Sequence, residues 1–274
     1  MTRLNHFKTR PKVELINTSN YLKRISLKEE SPSINYLKKI HKAHLLSIPF
    51  ENFDLYFGKK MDLNIDRIYN KIVHQNRGGI SLELNILLYH LLEGLGYQCK
   101  LTTAQNWIND SWTPPFFHPI VIIESNEKYF LADVGSIDLF FEPLEITPDK
   151  VQLSYNKYFR IEKDPDDWLI LKSSSDYTTF SKHYRFRMEN IEIIQFLDAF
   201  NHLQNDAFSS LSQEKIISQC FPEGRITLND RQLISNLKGE NEEIPILHED
   251  DFATKLEEHF GIDYQQLVLQ RLNK

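Results

Sequence analysis

Three short stretches of this 274-residue chain hold residue types that could do covalent chemistry together. The first is RGGISLELN, residues 77–85, where two glycines lead into Ser81 and a leucine-rich helical pattern follows at once. Glycines at 78 and 79 permit close backbone approach. A helix beginning there aims unsatisfied N–H groups and a partial positive charge at its first residues, which favours an anionic nucleophile. Serine is also a preferred helix N-cap, so the stretch by itself leaves Ser81 as either cap or nucleophile. The second and third stretches are HPIVII, opened by His118, and YFLADVG, which contains Asp133. If these runs pair as a hairpin, imidazole and carboxylate meet at one end of a sheet, where the carboxylate can hold the histidine in one tautomer. A Ser81, His118, Asp133 triad is then geometrically possible. Each residue also has a plainer use, His118 as a hydrogen-bonded strand end and Asp133 as a turn former before Val134 and Gly135.

The elements that must position these groups follow from periodicity. Ser33 is placed to cap a helix in which Ile34, Leu37, Ile40, Leu45 and Leu46 recur before Pro49 ends the pattern. From about Ile80 a second helix carries Leu84, Leu87, Leu88, Leu91, Leu92 and Leu95 at steps of three and four, one face toward the core, with Gly96 as terminator. Extended runs cover 98–104, 118–124 and 128–134, the last two joined by a turn at Ser125, Asn126 and Glu127. The nearly all-apolar PIVII predicts a strand covered on both faces. Further strands are expected near 155–161, 168–172 and 183–188. Helical patterning returns from Ile191, then come an extended TLND and a last amphipathic helix over about 251–260, while GENEE at 239–243 reads as a solvated loop. This order predicts an α+β protein in three packed parts: a helical part over 1–96 with Ser81, a β-rich part over 97–204 with His118 and Asp133, and a mixed part over 205–274.

Composition narrows the function classes. Hydrophobic residues at 41% and charged residues at 26% are an ordinary globular balance, which excludes a disordered or fibrous chain. A net charge of −6 supplies no basic field for a phosphate backbone, so no nucleic-acid partner is expected. No apolar run approaches the roughly 18 residues of a membrane span, and the N-terminus lacks a signal core. Cys99 and Cys220 are too few for a disulfide framework and too far apart for a CxxC metal pair, so the reading is a cytoplasmic protein with no membrane partner. His41 and His44 sit three apart on a helix, but two ligands do not make a metal site, and no metal is expected.

These stretches, with HKAHLLSIPFENFDL, FFHPIVII, LADVG and EGRITL, resemble the ordered motifs of the arylamine N-acetyltransferase family. RGGISLELN is similar to its RGGxCxExN motif, and the separations of 37 and 15 residues between Ser81, His118 and Asp133 are close to the family's spacing. The resemblance implies an N-terminal helical bundle, a central β-barrel and a C-terminal α/β lid around a cysteine-protease or transglutaminase-like core. It also implies ping-pong transfer of acetyl from acetyl-CoA to an arylamine, arylhydrazine or arylhydroxylamine. His118 and Asp133 match catalytic positions of the family. Arg77, Glu83 and Asn85 match residues that support its site. Gly135, and less directly Ser210, are the positions that the resemblance nominates for CoA contact.

At the nucleophile the resemblance breaks, for Ser81 stands where the family has cysteine. A thiol, with an ordinary pKa near 8.5, can be held as a thiolate by a helix N-terminus and an imidazolium. A hydroxyl cannot, and must lose its proton to a base during attack. Acetyl transfer is therefore expected to be very weak or absent, with neither Cys99 nor Cys220 as a substitute. Ser136 and Ile137 replace an aromatic and a glycine of the family's DVGFG, and Gln105 replaces a common arginine. A non-catalytic binder of CoA or aromatic ligands, or a serine-based acyltransferase or esterase, are the alternatives.

Overall fold

The computed structural model describes residues 16–137, 140–205 and 210–272. The N-terminal third is helical: α1 (Thr18–Arg24), α2 (Ile34–Ser47), then a two-residue strand β1 (Phe50–Glu51), α3 (Phe53–Tyr56), α4 (Ile65–Tyr69) and α5 (Ser81–Gly94). Polar side chains start three of these helices, with Asn17 accepting from the Asn20 N–H, Ser33 from that of Tyr36, and Asn64 from those of Asp66 and Arg67. Beyond α4 the chain widens into a π turn, Asn70–His74. Gly96, at φ +90°, follows the last turn of α5, as expected of a helix terminator.

The sequence pattern predicts one core-facing stripe on α5, yet the helix is enclosed nearly all round. Leu82, Leu84, Ile86, Leu87, Leu88, Leu91 and Leu92 are all at 0% exposure. The cause is its place between α1 and α4 on one side and the central sheet on the other. Burying each such side chain is worth about 1.5–3 kcal/mol, so α5 anchors the molecule.

That sheet is antiparallel and holds β2 (Gln98–Ile108), β3 (Ser111–Trp112), β4 (His118–Ser125), β5 (Lys128–Ala132), β6 (Leu144–Glu145), β7 (Val151–Ser154), β8 (Lys157–Lys163), β9 (Leu169–Ser174) and β10 (Ser181–Phe186). Its order is β6-β5-β4-β2-β10-β9-β8-β7, with β3 paired to the end of β2. The two edges meet through one side chain: Gln152 of β7 accepts the Glu145 N–H at 2.8 Å and donates to the Glu145 carbonyl at 2.8 Å, so a nearly closed barrel results. On β4, Ile120 and Ile122 point into the barrel core with Leu131, Phe159 and Phe186, while Val121 and Ile123 pack against the α5 side. Both faces of the PIVII run are thus covered. The β4–β5 turn is one residue tighter than expected. Ser125 pairs with Lys128, and Asn126 and Glu127 both take positive φ, the two-residue type I′ geometry.

A 3₁₀ turn at Ile193–Phe196 leads into α6 (Leu197–Asn205), and α7 (Ser210–Gln213) opens the C-terminal part. There β11 (Ile216–Phe221), β12 (Gly224–Asn229), β13 (Gln232–Leu237) and β14 (Glu240–Pro245) form an antiparallel sheet, backed by α8 (Glu249–Phe260) and α9 (Tyr264–Leu272). GENEE is therefore not a loop. Gly239 makes the turn, and the glutamates occupy an exposed edge strand, where charge discourages pairing with another chain. The fifth member of this sheet is β1, which pairs with β11 through Phe50↔Ser218 and Glu51↔Ile217.

Candidate active site

Ser81 is the first helical residue of α5, not its cap. Ile80 holds the cap position, and its backbone N–H is taken by Glu83 Oε2 at 3.0 Å. Ser81 is half-buried, and its Oγ makes no hydrogen bond among the described residues. Its position is fixed from behind, because Gly79 exchanges hydrogen bonds with β1 and the residue before it: its N–H donates to the Pro49 carbonyl at 3.3 Å, and its carbonyl accepts the Glu51 N–H at 3.0 Å. A Cβ on Gly78 would lie 2.1 Å from the Pro49 carbonyl oxygen, so only glycine permits this approach.

His118 begins β4, and Asp133 follows β5 directly. The strand stops at Ala132, two residues short of the expected end, because Asp133 Oδ1 accepts the Gly135 N–H at 2.9 Å and turns the chain. One further step of the Val121↔Ala132 register would set Asp133 opposite Ile120, on the face that His118 shares. His118 Nε2 lies 2.8 Å from Asp133 Oδ2. That bond commits Nε2–H to the carboxylate and leaves Nδ1 as the basic nitrogen for a nucleophile. Burial alone would raise the Asp133 pKa, but His118 and the bonds from His118, Asn85 and Gly135 outweigh it and hold the carboxyl below its usual value.

Asn85, one turn after Ser81, ties helix to loop. Its Nδ2 donates to Asp133 Oδ1 at 2.8 Å and to the Pro119 carbonyl at 2.7 Å, and its Oδ1 accepts the Val134 N–H at 2.9 Å. Gly135 packs directly on the helix start, where an added Cβ would come within 2.7 Å of Ser81 Cα and of Asn85 Nδ2. Ser81, His118, Asp133, Asn85 and Gly135 thus converge. Ser210 opens α7, and its side chain lies outside the described residues.

Arg77 and Glu83 lie behind the helix start, in a buried ion cluster with Glu51 and Asp54 of the IPFENFDL stretch and with Lys71, which carried no sequence signal. Arg77 donates to Glu51 Oε1 at 2.8 and 3.1 Å and to Asp54 Oδ1 at 3.2 Å. Lys71, turned inward by the π segment, bonds both Glu83 oxygens at 3.0 and 2.9 Å. Burial would lower the Lys71 pKa, but Glu51, Glu83 and Asp54 together hold it above its usual value. For Glu83 burial prevails over Lys71, and its carboxyl is raised.

Two further side chains complete the surroundings. His41, on α2, donates from Nδ1 to the Phe141 carbonyl at 3.0 Å and accepts the Asp133 N–H on Nε2 at 3.2 Å. This neutral tautomer agrees with a pKa that burial lowers. His44 instead bonds the Tyr21 hydroxyl, so the two histidines serve different partners. Tyr184, fully buried on β10, sets its ring 5.6 Å from that of His118. Its hydroxyl has no partner of hydrogen-bond geometry among the described residues; burial first, then the charge of Asp133, keep it protonated. Away from position 81, Cys220 is buried and accepts from Arg225, and Cys99 is half-buried with a thiol that burial pushes up. Gln105 accepts from Arg185 Nε at 2.7 Å across the β2–β10 ladder. Ile137 lines a cavity of about 410 Å³ between the β7–β8 turn and the C-terminal sheet, together with Phe141, Tyr155 and Arg225.

A helix start joined through Asn85 and Gly135 to a histidine–aspartate pair on a nearly closed antiparallel barrel defines a cysteine-protease-like fold. The chain belongs to the arylamine N-acetyltransferase family: the sequence model of a family described as N-acetyltransferase matches residues 33–268. It is 26% identical to the pineal gland arylamine N-acetyltransferase isozyme NAT-3 of Gallus gallus, over 90% of this chain and 94% of that one. Arylamine N-acetyltransferase C of Bacillus anthracis superposes with a TM-score of 0.82 at 25% identity, covering 89% of this chain and 98% of that one. An arylamine N-acetyltransferase of Bacillus cereus, described as having a Cys-His-Glu catalytic triad, gives 0.81 at 21% identity, over 90% and 99%.

Proposed function

We propose that this protein is an arylamine N-acetyltransferase scaffold with Ser81 at the nucleophile position, His118 as the base and Asp133 orienting His118. Acetyl-CoA is the donor substrate, and an arylamine, arylhydrazine or arylhydroxylamine the acceptor. What supports this reading most is the His118–Asp133 bond at 2.8 Å, held against the start of α5 by Asn85 and Gly135. Arg77, Glu83 and Asn85 act as supports of the site. CoA contact is assigned to the neighbourhood of Gly135 and of Ser210, and the cytoplasm is the proposed compartment.

The arrangement suits a thiolate better than a hydroxyl. A helix start and a carboxylate-backed imidazole can stabilise a thiolate in the resting enzyme, whereas serine must be deprotonated in the transition state itself. Turnover with Ser81 should therefore fall short of the Ser81→Cys variant by about 10³-fold or more. The test compares CoA release by the two proteins with acetyl-CoA and a simple arylamine. Restoration by Ser81→Cys supports the reading. Two silent proteins would sink it and favour a binder of CoA or aromatic ligands, which the cavity beside Ile137 could serve. Equal turnover by both would favour a serine-based acyltransferase.

A further inference from the structure

Beneath the start of α5 lie three buried carboxylates, Glu51 on β1, Asp54 on α3 and Glu83 on α5, and two buried cations, Lys71 and Arg77. Lys59 reaches Asp54 at 3.4 Å from the surface. Arg77 serves Glu51 and Asp54. Lys71 is the cation that pairs with Glu83, at 2.9 Å, and it also approaches Asp54 at 3.3 Å and Glu51 at 3.7 Å. Glu83 is also the carboxylate next to the nucleophile position, since its Oε2 accepts the N–H of Ile80, the residue before Ser81. From the other side, Gly135, whose N–H Asp133 Oδ1 accepts, packs directly on Ser81.

An unneutralised carboxylate in this place would oppose the positive end of α5 and disfavour an anion at position 81. We infer that Lys71 is a positioning residue for the nucleophile: by pairing with Glu83 it keeps the charge behind position 81 neutral while Glu83 caps the helix. This inference rests on the proposed role of position 81 and adds a group that touches neither substrate nor the reacting atoms. It also gives the π turn a use, since that turn directs Lys71 inward.

The test uses the full chain carrying Ser81→Cys and follows iodoacetamide alkylation of residue 81 by peptide mass spectrometry as a function of pH. Adding Lys71→Gln should raise the apparent thiol pKa by about one unit, and adding Glu83→Gln, which keeps a cap acceptor, should lower it by a similar amount. Lys71→Arg should leave it near the parent value, and the Lys71→Gln, Glu83→Gln pair should return toward it. Loosening of the helix start would move Lys71→Gln and Glu83→Gln in the same direction, toward an ordinary thiol. Opposite shifts support the inference, and any other pattern overturns it. If the thiol of Ser81→Cys alone titrates near the ordinary 8.5, position 81 is not activated and the site reading falls with it. A depressed thiol that ignores Lys71 overturns only the role of Lys71.

Discussion

Asn85 uses every polar atom of its side chain on the segment that carries Asp133. Asn85→Ala would leave the Pro119 carbonyl, the Val134 N–H and one Asp133 oxygen short of a partner in a buried setting, so a loss of about 2–4 kcal/mol is expected from urea denaturation. Tyr184→Phe should change stability by less than about 1 kcal/mol, because among the described residues the hydroxyl it removes makes no hydrogen bond of good geometry. Asp133 has a depressed folded pKa, so its pairing contributes stability that is present above about pH 3.9 and is lost as pH falls through the folded value. Asp133→Asn should flatten that acid limb in urea midpoints taken against pH. Ser81, His118, Asp133, Arg77, Glu83 and Asn85 were all legible in the sequence, because each lies in a short stretch of distinctive spacing. Lys71, His41 and Tyr184 were not. They reach the site from a π turn, a helix in the other half of the bundle and a far barrel strand, and nothing in NKIVHQ, HKAH or KHYRF says which way those side chains turn.

The helix that carries Ser81 also buries His90, whose pKa burial lowers to about 4. A depressed histidine binds its proton more readily in the unfolded chain. Stability is therefore complete above about pH 6.5 and lost as pH falls from there toward the folded value, by about 3 kcal/mol at most from this group. His90→Leu should remove that share of the acid loss, read as a flatter urea midpoint between those pH values. His41 and His44, also depressed, should add to the slope in the same direction. Long periodic elements were readable: α5 and β4 announce themselves by leucine spacing and an apolar run. The enclosure of α5 on all sides was not, since it depends on which elements pack there. Of the C-terminal sheet only TLND, at the end of β12, was read as extended; GENEE escaped because it has the composition of a loop and becomes a strand only by pairing with β13.

The C-terminal sheet and the nucleophile's surroundings share backbone. β1 hydrogen-bonds to Gly79 on one side and pairs with β11 on the other, and Asn52 next to it donates to the Leu211 and Glu214 carbonyls at 2.7 Å each and accepts the Ile216 N–H at 2.9 Å. Asn52→Ala should lower stability by about 2–4 kcal/mol and raise hydrogen exchange in β11 before the barrel strands are affected. This junction joins residues more than 150 positions apart, and no local pattern foretells it. On the proposed function, all of this architecture presents position 81 as an acyl acceptor lacking only a thiol. The most direct measurement is the mass of the residue 81 peptide after Ser81→Cys protein has been mixed with acetyl-CoA and no acceptor. A stable acetyl adduct on that residue, discharged when an arylamine is added, is the predicted result; an unmodified peptide from a correctly folded variant would contradict it.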